Sequence, residues 1–538
     1  MESAVCRRLV FVFGDQLTDS ASSFEGFDNK RDVILMAECD AETGLGSGDQ
    51  QHAGRSHKQR IAVFFSAMRH FAIAQADKGR RVRYIRVNDP NNTHAFTGEL
   101  ERTLKQLSPE EIVVTRPGEW RVLEEIESWE DRFGVPVRLC EDDHFYTTPE
   151  EFSKWASGRK QLVMEYFYRE QRKKHGVLMD GKDPVGGEWN FDKDNRESFK
   201  AAPRVRPPEW AEPDDITLEV IDLVNRRYPD APGRLDAENF IWPVTRRAAL
   251  RWLDEFIEKR LGKFGPYEDA MWTGQPFLYH SMLSVALNLK LLDPRECVEK
   301  ALKAYENAKA PINSVEGFVR QLIGWREFIR GVYWHEGPDY RDRNSLDQHA
   351  DLPDFYWTGD TDMRCMAEAL EPVLDHAWCH HIPRLMILSG FAMMAGVHPR
   401  KVGDWFYAMF ADSVDWVTTP NTIGMGMHCD GDSKRPGVVG TKPYAASGKY
   451  IGRMSNYCEH CAYDNTKRTD SEGDTRPACP FNTFYWDFLI RNHERFKGNN
   501  RMAMILKHVD RMSKEERAEI TVAGKRLRKK LGVGPIAG

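Results

Sequence analysis

Short apolar runs set the rhythm of the first quarter of the chain. Leu9–Phe13, Val33–Met36, Val82–Val87, Ile112–Val114 and Val137–Leu139 are separated by polar, helix-compatible stretches such as 56–78. Strands that are apolar along their whole length and alternate with helices predict a doubly wound parallel sheet, because such strands are covered on both faces. This α/β unit is expected over residues 1–140. Ligands of such sheets lie beyond the carboxyl ends of the strands. Gly14, Asp15 and Gln16 follow the first run and Glu38 follows the second, so all four are candidate ligand contacts.

From 236 to 510 the period changes to that of helices, predicting a large all-α unit. In 246–261, for example, Thr245 is placed as N-cap, Leu250, Leu253, Phe256 and Ile257 share one face, and Gly262 and Gly265 stop the helix. Residues 141–235, with Pro184, Pro203, Pro207, Pro208 and Pro213, predict an irregular connector. Within it, 164–175 mixes aromatic rings with Arg169, Arg172, Lys173, Lys174 and His175. Residues 511–538 are expected to form a basic tail that frays, with Lys525, Arg526, Arg528, Lys529 and Lys530.

Composition widens this picture. A chain of 538 residues exceeds one ordinary core and can enclose large cofactors. With 41% hydrophobic and 29% charged residues it is globular, and no apolar run approaches the roughly 20 residues that cross a bilayer. The opening reads as a first strand rather than a leader, so a cytoplasmic monomer without membrane contact is expected. Ten irregularly spaced cysteines suit thiols and ligands better than disulfides. A net charge of -6 gives no global attraction to nucleic acid, so any DNA contact must come from local basic patches.

Several constellations carry chemistry. Cys458 and Cys461 form C-E-H-C, Cys479 precedes a proline, and Cys365 lies upstream; a thiol followed by proline points to an iron-sulfur site rather than a zinc staple. Ser281 and Ser284 fall one turn apart near a helix start, an arrangement that suits phosphate and equally suits a plain helix end. Arg320, Gln321, Trp325 and Arg326 share a helical neighbourhood fit to hold a planar ring, or a structural tryptophan with surface arginines. His381 and Arg384 share a face, as do Asp412 and Asp415; an Arg beside an Asp can clamp a ring while a histidine gives a proton. Trp357, Trp405, Phe406, Tyr407 and Trp416 suit either electron hopping or core packing.

Taken in order, F-G-D-Q-L (13–17), M-E-Y-F-Y-R-E (164–170), F-D-K-D-N-R (191–196), F-G-P-Y-E-D-A-M (264–271), Q-L-I-G-W-R-E-F (321–328), H-H-I-P-R-L-M (380–386), T-P-N-T-I-G-M (419–425) and the four cysteines resemble the cryptochrome/photolyase family, specifically its iron-sulfur bacterial branch with the prokaryotic (6-4) photolyases. The resemblance implies FAD in the helical unit, with Tyr267, Ser281 and Ser284 near its phosphates, Arg384 and Asp412 beside its ring, and Asn421 close by. It implies a 4Fe-4S cluster on Cys365, Cys458, Cys461 and Cys479, and 6,7-dimethyl-8-ribityllumazine as antenna held by Asp15, Gln16 and Glu38. The implied reaction is light-driven repair of (6-4) lesions in UV-damaged DNA, with His381, and its neighbour His380, as proton donor and Trp357, Trp405 and Tyr407 carrying electrons. Two positions depart from the family: Leu385 stands where eukaryotic (6-4) enzymes place a second histidine, and Phe406 follows Trp405. A blue-light photoreceptor of the cryptochrome type would share the same cofactors. An iron-sulfur primase-like or nuclease module is the third reading, against which the N-terminal α/β unit counts.

Overall fold

The computed structural model describes residues 6–44, 55–431 and 437–534. Five strands, β1 (Cys6–Phe11), β2 (Val33–Ala37), β3 (Arg81–Ile85), β4 (Pro109–Thr115) and β5 (Val137–Cys140), form one parallel sheet in the order β3-β2-β1-β4-β5. Leu9 stands between Val33 and Ile112, fixing the register of the three central strands. Alternate residues of β1 serve two cores. Val10 packs with Ile61, Phe65 and Met68 of the helix Lys58–Asp77, while Leu9 and Phe11 pack with Phe96, Leu100 and Trp129 on the other face. Burial on both faces is why the central stretches 9–11, 33–37 and 112–114 are apolar throughout.

The strand order reverses direction between β1 and β4. That gap is the topological switch point, where a ligand crevice opens in such sheets. Gln16 spans it, donating from Nε2 to the Thr115 carbonyl at 3.0 Å.

The remainder is largely helical. Thr245 caps its helix as expected, accepting from the Ala248 N–H at 3.2 Å, but the helix passes Gly262 and runs to Phe264 through a π-helical turn at Phe256–Arg260. Two expectations need correction. The connector contains helices Pro149–Ala156, Met164–His175 and Asp215–Arg227, the last packed on Lys58–Asp77; its longest stretch without helix or strand is 195–214, around Pro203–Pro213. The C-terminal basic segment is the helix Lys514–Lys530, capped by Ser513. It docks on the helix Pro480–Arg491 because Arg528 is buried against Asp487, and because Gly524 leaves room where a Cβ would lie 2.8 Å from the Asp487 carboxyl carbon. No helix among the described residues is long and apolar enough to cross a membrane.

Candidate functional site

The helical body draws together the segments singled out by sequence. Arg384 clamps Asp412 through two parallel hydrogen bonds of 3.0 Å each, donates from Nε to the Cys379 carbonyl at 2.6 Å, and lies 4.2 Å over the Phe410 ring. A two-pronged guanidinium-carboxylate pair has fixed geometry as well as charge. Asn288 donates to the Asp412 carbonyl at 2.7 Å, which ties the short helix Ser284–Asn288 to this pair. Ser281 and Ser284 are half-buried at its start. Tyr267 stacks on Phe199 at 4.3 Å and meets Tyr279, the residue before His280, at 5.8 Å; Lys263 lies over the Tyr279 ring. Asn421 bonds its amide nitrogen to the Val417 carbonyl, leaving its oxygen free to accept.

His381 is exposed at the surface of the helical body, with enough protein around its ring to desolvate it. Enclosure, then the positive Arg384, lower its pKa to about 4. His380 is buried behind it and stacks on His280 with ring centres 4.2 Å apart. Three of the four π-helical turns carry site residues: Arg320–Arg326 holds Gln321 and Trp325, Pro383–Ser389 holds Arg384, and Pro420–Gly426 holds Asn421. Such turns insert one extra residue and swing side chains off the helical period, and they recur at functional sites. Asp415 lies apart from these residues, bonded by the Tyr333 hydroxyl at 2.7 Å. Gln321 instead donates to Glu268 at 2.9 Å, whose carboxyl burial raises to about 8.

An oriented cation-carboxylate pair, with an exposed histidine on the same stretch of chain and an amide oxygen on the neighbouring π-helical turn, is a donor set that fits a flavin ring. The four thiols also converge. Cys479, Cys458 and Cys461 each influence Cys365, and burial raises the Cys479 thiol to about 12. Gly448 and Gly452, one turn apart on the helix Gly448–Met454, form a bare face against them: a Cβ on Gly448 would lie 3.0 Å from the Cys479 sulfur, and one on Gly452 3.3 Å from that of Cys458. Among the described residues no group of three or more His, Cys, Asp or Glu is spaced to hold one metal ion.

The switch point holds a second constellation. Asp15, Glu42, Glu119, Arg60 and Arg121 face Phe13, Phe64 and Phe96 around a small cavity. Burial raises Asp15 to about 6 and Glu42 to about 8, and Glu42 accepts from the Gly14 N–H at 2.7 Å. Glu38 does not take part. Its buried carboxylate accepts two bonds from Arg69, one from the Tyr84 hydroxyl and one from the Val87 N–H, which fills all four lone-pair positions and leaves none for a ligand. Glu42, which sequence reasoning missed, stands in its place. The donor set suits a polar ring, but the enclosed volume of ≈20 Å³ admits about one water, so a lumazine does not fit without movement of the phenylalanine walls.

Trp405 meets Tyr356 edge-on at 5.1 Å, and Trp357, the next residue, shares an open cavity of ≈950 Å³ with it. Tyr407 does not extend this series. Residues two apart on a helix point about 200° from each other. Tyr407 accordingly turns to the N-terminal unit, where its hydroxyl donates to Glu119 at 2.7 Å and Arg60 covers its ring at 4.6 Å. In the basic segment, Arg172 is buried and serves the backbone carbonyls of Val177, Leu178 and Trp189, whereas Arg159, Lys160, Lys173 and Lys174 are exposed.

Comparison with known proteins agrees with this architecture. The family described as deoxyribodipyrimidine photo-lyase-related protein matches residues 10–240. A (6-4) photolyase from Agrobacterium fabrum is 47% identical over 525 residues, covering 97% of this chain and 99% of that protein. Among solved structures, the fold is similar to a bacterial class III photolyase from Agrobacterium tumefaciens, with a TM-score of 0.55 at 15% identity over 91% of this chain and 98% of that one. It is similar also to a Synechocystis cryptochrome, with a TM-score of 0.55 at 15% identity over 84% and 89%.

Proposed function

The chain belongs to the photolyase family, and we propose that it is a (6-4) photolyase, an enzyme that uses light to reverse (6-4) pyrimidine-pyrimidone lesions in UV-damaged DNA. The observation that carries this reading is His381, an exposed imidazole three residues before Arg384 of the Arg384–Asp412 clamp.

FAD, when bound and reduced, supplies the electron that light promotes into the lesion. The protein supplies the rest. Arg384 and Asp412 would hold the flavin ring, Asn421 would offer it an acceptor, and Tyr267, Ser281 and Ser284 would bind its phosphates. The lesion leaves the base stack to reach this site, at a cost of a few kcal/mol that is smallest for a damaged base. His381 gives its proton to the seated lesion and takes it back when the bonds are restored. In the free protein its pKa of about 4 leaves it neutral at pH 7. Phosphates arriving with the duplex raise that value by opposite charge, so the acid form gathers where the substrate is. Arg159, Lys160, Lys173 and Lys174 are the phosphate contacts, and affinity therefore falls with salt.

Cys365, Cys458, Cys461 and Cys479 would hold a 4Fe-4S cluster, which closes a long loop of the helical unit and acts as a structural clamp. Trp405 and Trp357 form the electron path to the surface. In this reading residues 1–140 carry the antenna, a ribityllumazine contacted by Asp15, Gln16 and Glu42 after adjustment of the pocket, and 236–510 carry the flavin and the cluster. No step of repair is assigned to the antenna. Replacing His381 with Ala is expected to abolish light-driven repair of a (6-4) duplex while the protein keeps its flavin; repair at the wild-type rate would remove His381 from the mechanism.

A further inference from the structure

Two backbone segments bend against their preferences to bring a pair of histidines together. Leu278 and Met282 have φ of 42° and 57°, and Ala377 has φ of 52°. Left-handed backbone is disfavoured for residues with a side chain and persists where surrounding structure enforces it, often at functional sites. The first two residues flank His280, and the third lies three residues before His380. The result is a parallel stack of the two rings at 4.2 Å with an interplanar angle of 19°.

The stack leaves buried nitrogens without partners. His280 Nε2 and His380 Nδ1 have no hydrogen-bond partner, although both residues are more than nine-tenths buried. Stacked rings do not bond each other through in-plane nitrogens, so these atoms do not satisfy one another. The His280 ring also engages the Glu268 backbone carbonyl, which makes its bonded nitrogen the donor and leaves Nε2 an acceptor that needs an O–H or N–H. Buried polar groups in this position are met by ordered water.

We propose that His280 is a positioning residue for the acid His381: with the stacked His380 it holds ordered solvent at two unpartnered ring nitrogens, and through that solvent the proton that His381 gives up is replaced and returned. The proposal rests on the reading of His381 as the proton donor. The His280 donor nitrogen stays on the Glu268 carbonyl, and the unpartnered ring nitrogens only hold the solvent in line, so a proton passes along that solvent to His381 as His381 protonates the lesion, and the flow reverses on repair. No proton is consumed. Burial lowers the pKa of His280 to about 3 and that of His380 well below its ordinary value, so both rings begin neutral. The groups that face the pair are His381, Arg384 with Asp412, Arg260 with Glu255, and Glu268.

His280→Phe keeps a stacking ring and removes both nitrogens, whereas His280→Asn keeps a polar head. In flavin-loaded protein held in the dark, nitrogen-15 NMR reads the exchange of the His381 ring N–H with solvent. The Phe variant is expected to keep its flavin and thermal midpoint, to slow that exchange, and to repair about tenfold more slowly with an altered pH profile, within the usual range for proton-transfer assistance; the Asn variant recovers most of both. Exchange and repair at wild-type rates in the Phe variant overturn the proposal. So does flavin loss in both variants, which would make His280 structural. Should the wild type fail to repair (6-4) duplexes, the proposed function falls, while slowed dark exchange in the Phe variant would still support the relay.

Discussion

At the scale of single residues, chemistry and position separate cleanly at Glu38 and Glu42. Both are buried acids beyond strand ends, and sequence offered no means to choose between them. The choice is made by Arg69, whose guanidinium reaches Glu38 from a helix 31 positions away and neutralises it. Among the described residues Glu42 makes no ion pair, and burial beside Asp15 raises its pKa to about 8 despite the nearby Arg121. Between the ordinary carboxyl range and that value the folded chain binds a proton that the unfolded chain has released, so stability falls as pH rises through this window. Glu42→Gln removes the titrating group and keeps the acceptor for Gly14. Its thermal midpoint should match the wild type near pH 5 and exceed it near pH 8, by an amount corresponding to roughly 4 kcal/mol at most. A midpoint below the wild type at pH 8 would mean that Glu42 is ionised in the fold. His280 was equally hidden in the sequence, since a lone histidine beside a serine pair gives no sign of the ring it stacks on.

At the scale of elements, helices were legible from their period wherever that period was regular. Thr245 and the Leu250–Leu253 face were read correctly because capping and amphipathicity are local. The π-helical turns were not legible, because one inserted residue looks like noise in a 3.6-residue period; they nonetheless hold Gln321, Arg384 and Asn421. The C-terminal helix was misread for the opposite reason. Its lysines and arginines looked solvated, and only the distant Asp487 explains why Arg528 is buried. The helix Gly448–Met454 contributes a bare face to the thiols, and this gives the cluster assignment its test. Gly448→Ala brings a methyl within 3.0 Å of the Cys479 sulfur, 3.1 Å of the Asn465 Cβ and 3.3 Å of the Asn482 amide oxygen. Overpacking of this kind costs about 1–3 kcal/mol. Iron and acid-labile sulfide per chain are expected to fall in this variant, and undiminished content of both would separate the glycine face from the cluster.

At the scale of the whole molecule, the presence of a parallel sheet followed by a helical body was visible from the change of hydrophobic period, although helices begin well before residue 236. Strand order was not, because nothing local to a strand records its neighbour. That order puts Gln16, Asp15 and Glu119 at one switch point, and the helical body supplies Tyr407 to close the same place, so the two units meet over the N-terminal pocket. The proposed flavin site lies within the helical body. The roles proposed for His381, the Arg384–Asp412 pair and the tryptophans are compatible with signalling as well as repair, and the difference rests on what binds there. The most direct measurement is illumination with blue light of the flavin-loaded protein with duplexes carrying either a (6-4) lesion or a cyclobutane dimer, each with a dark control. The account predicts restoration of intact bases in the (6-4) duplex under light alone. Repair in the dark, repair of the dimer only, or no repair of either duplex would contradict it.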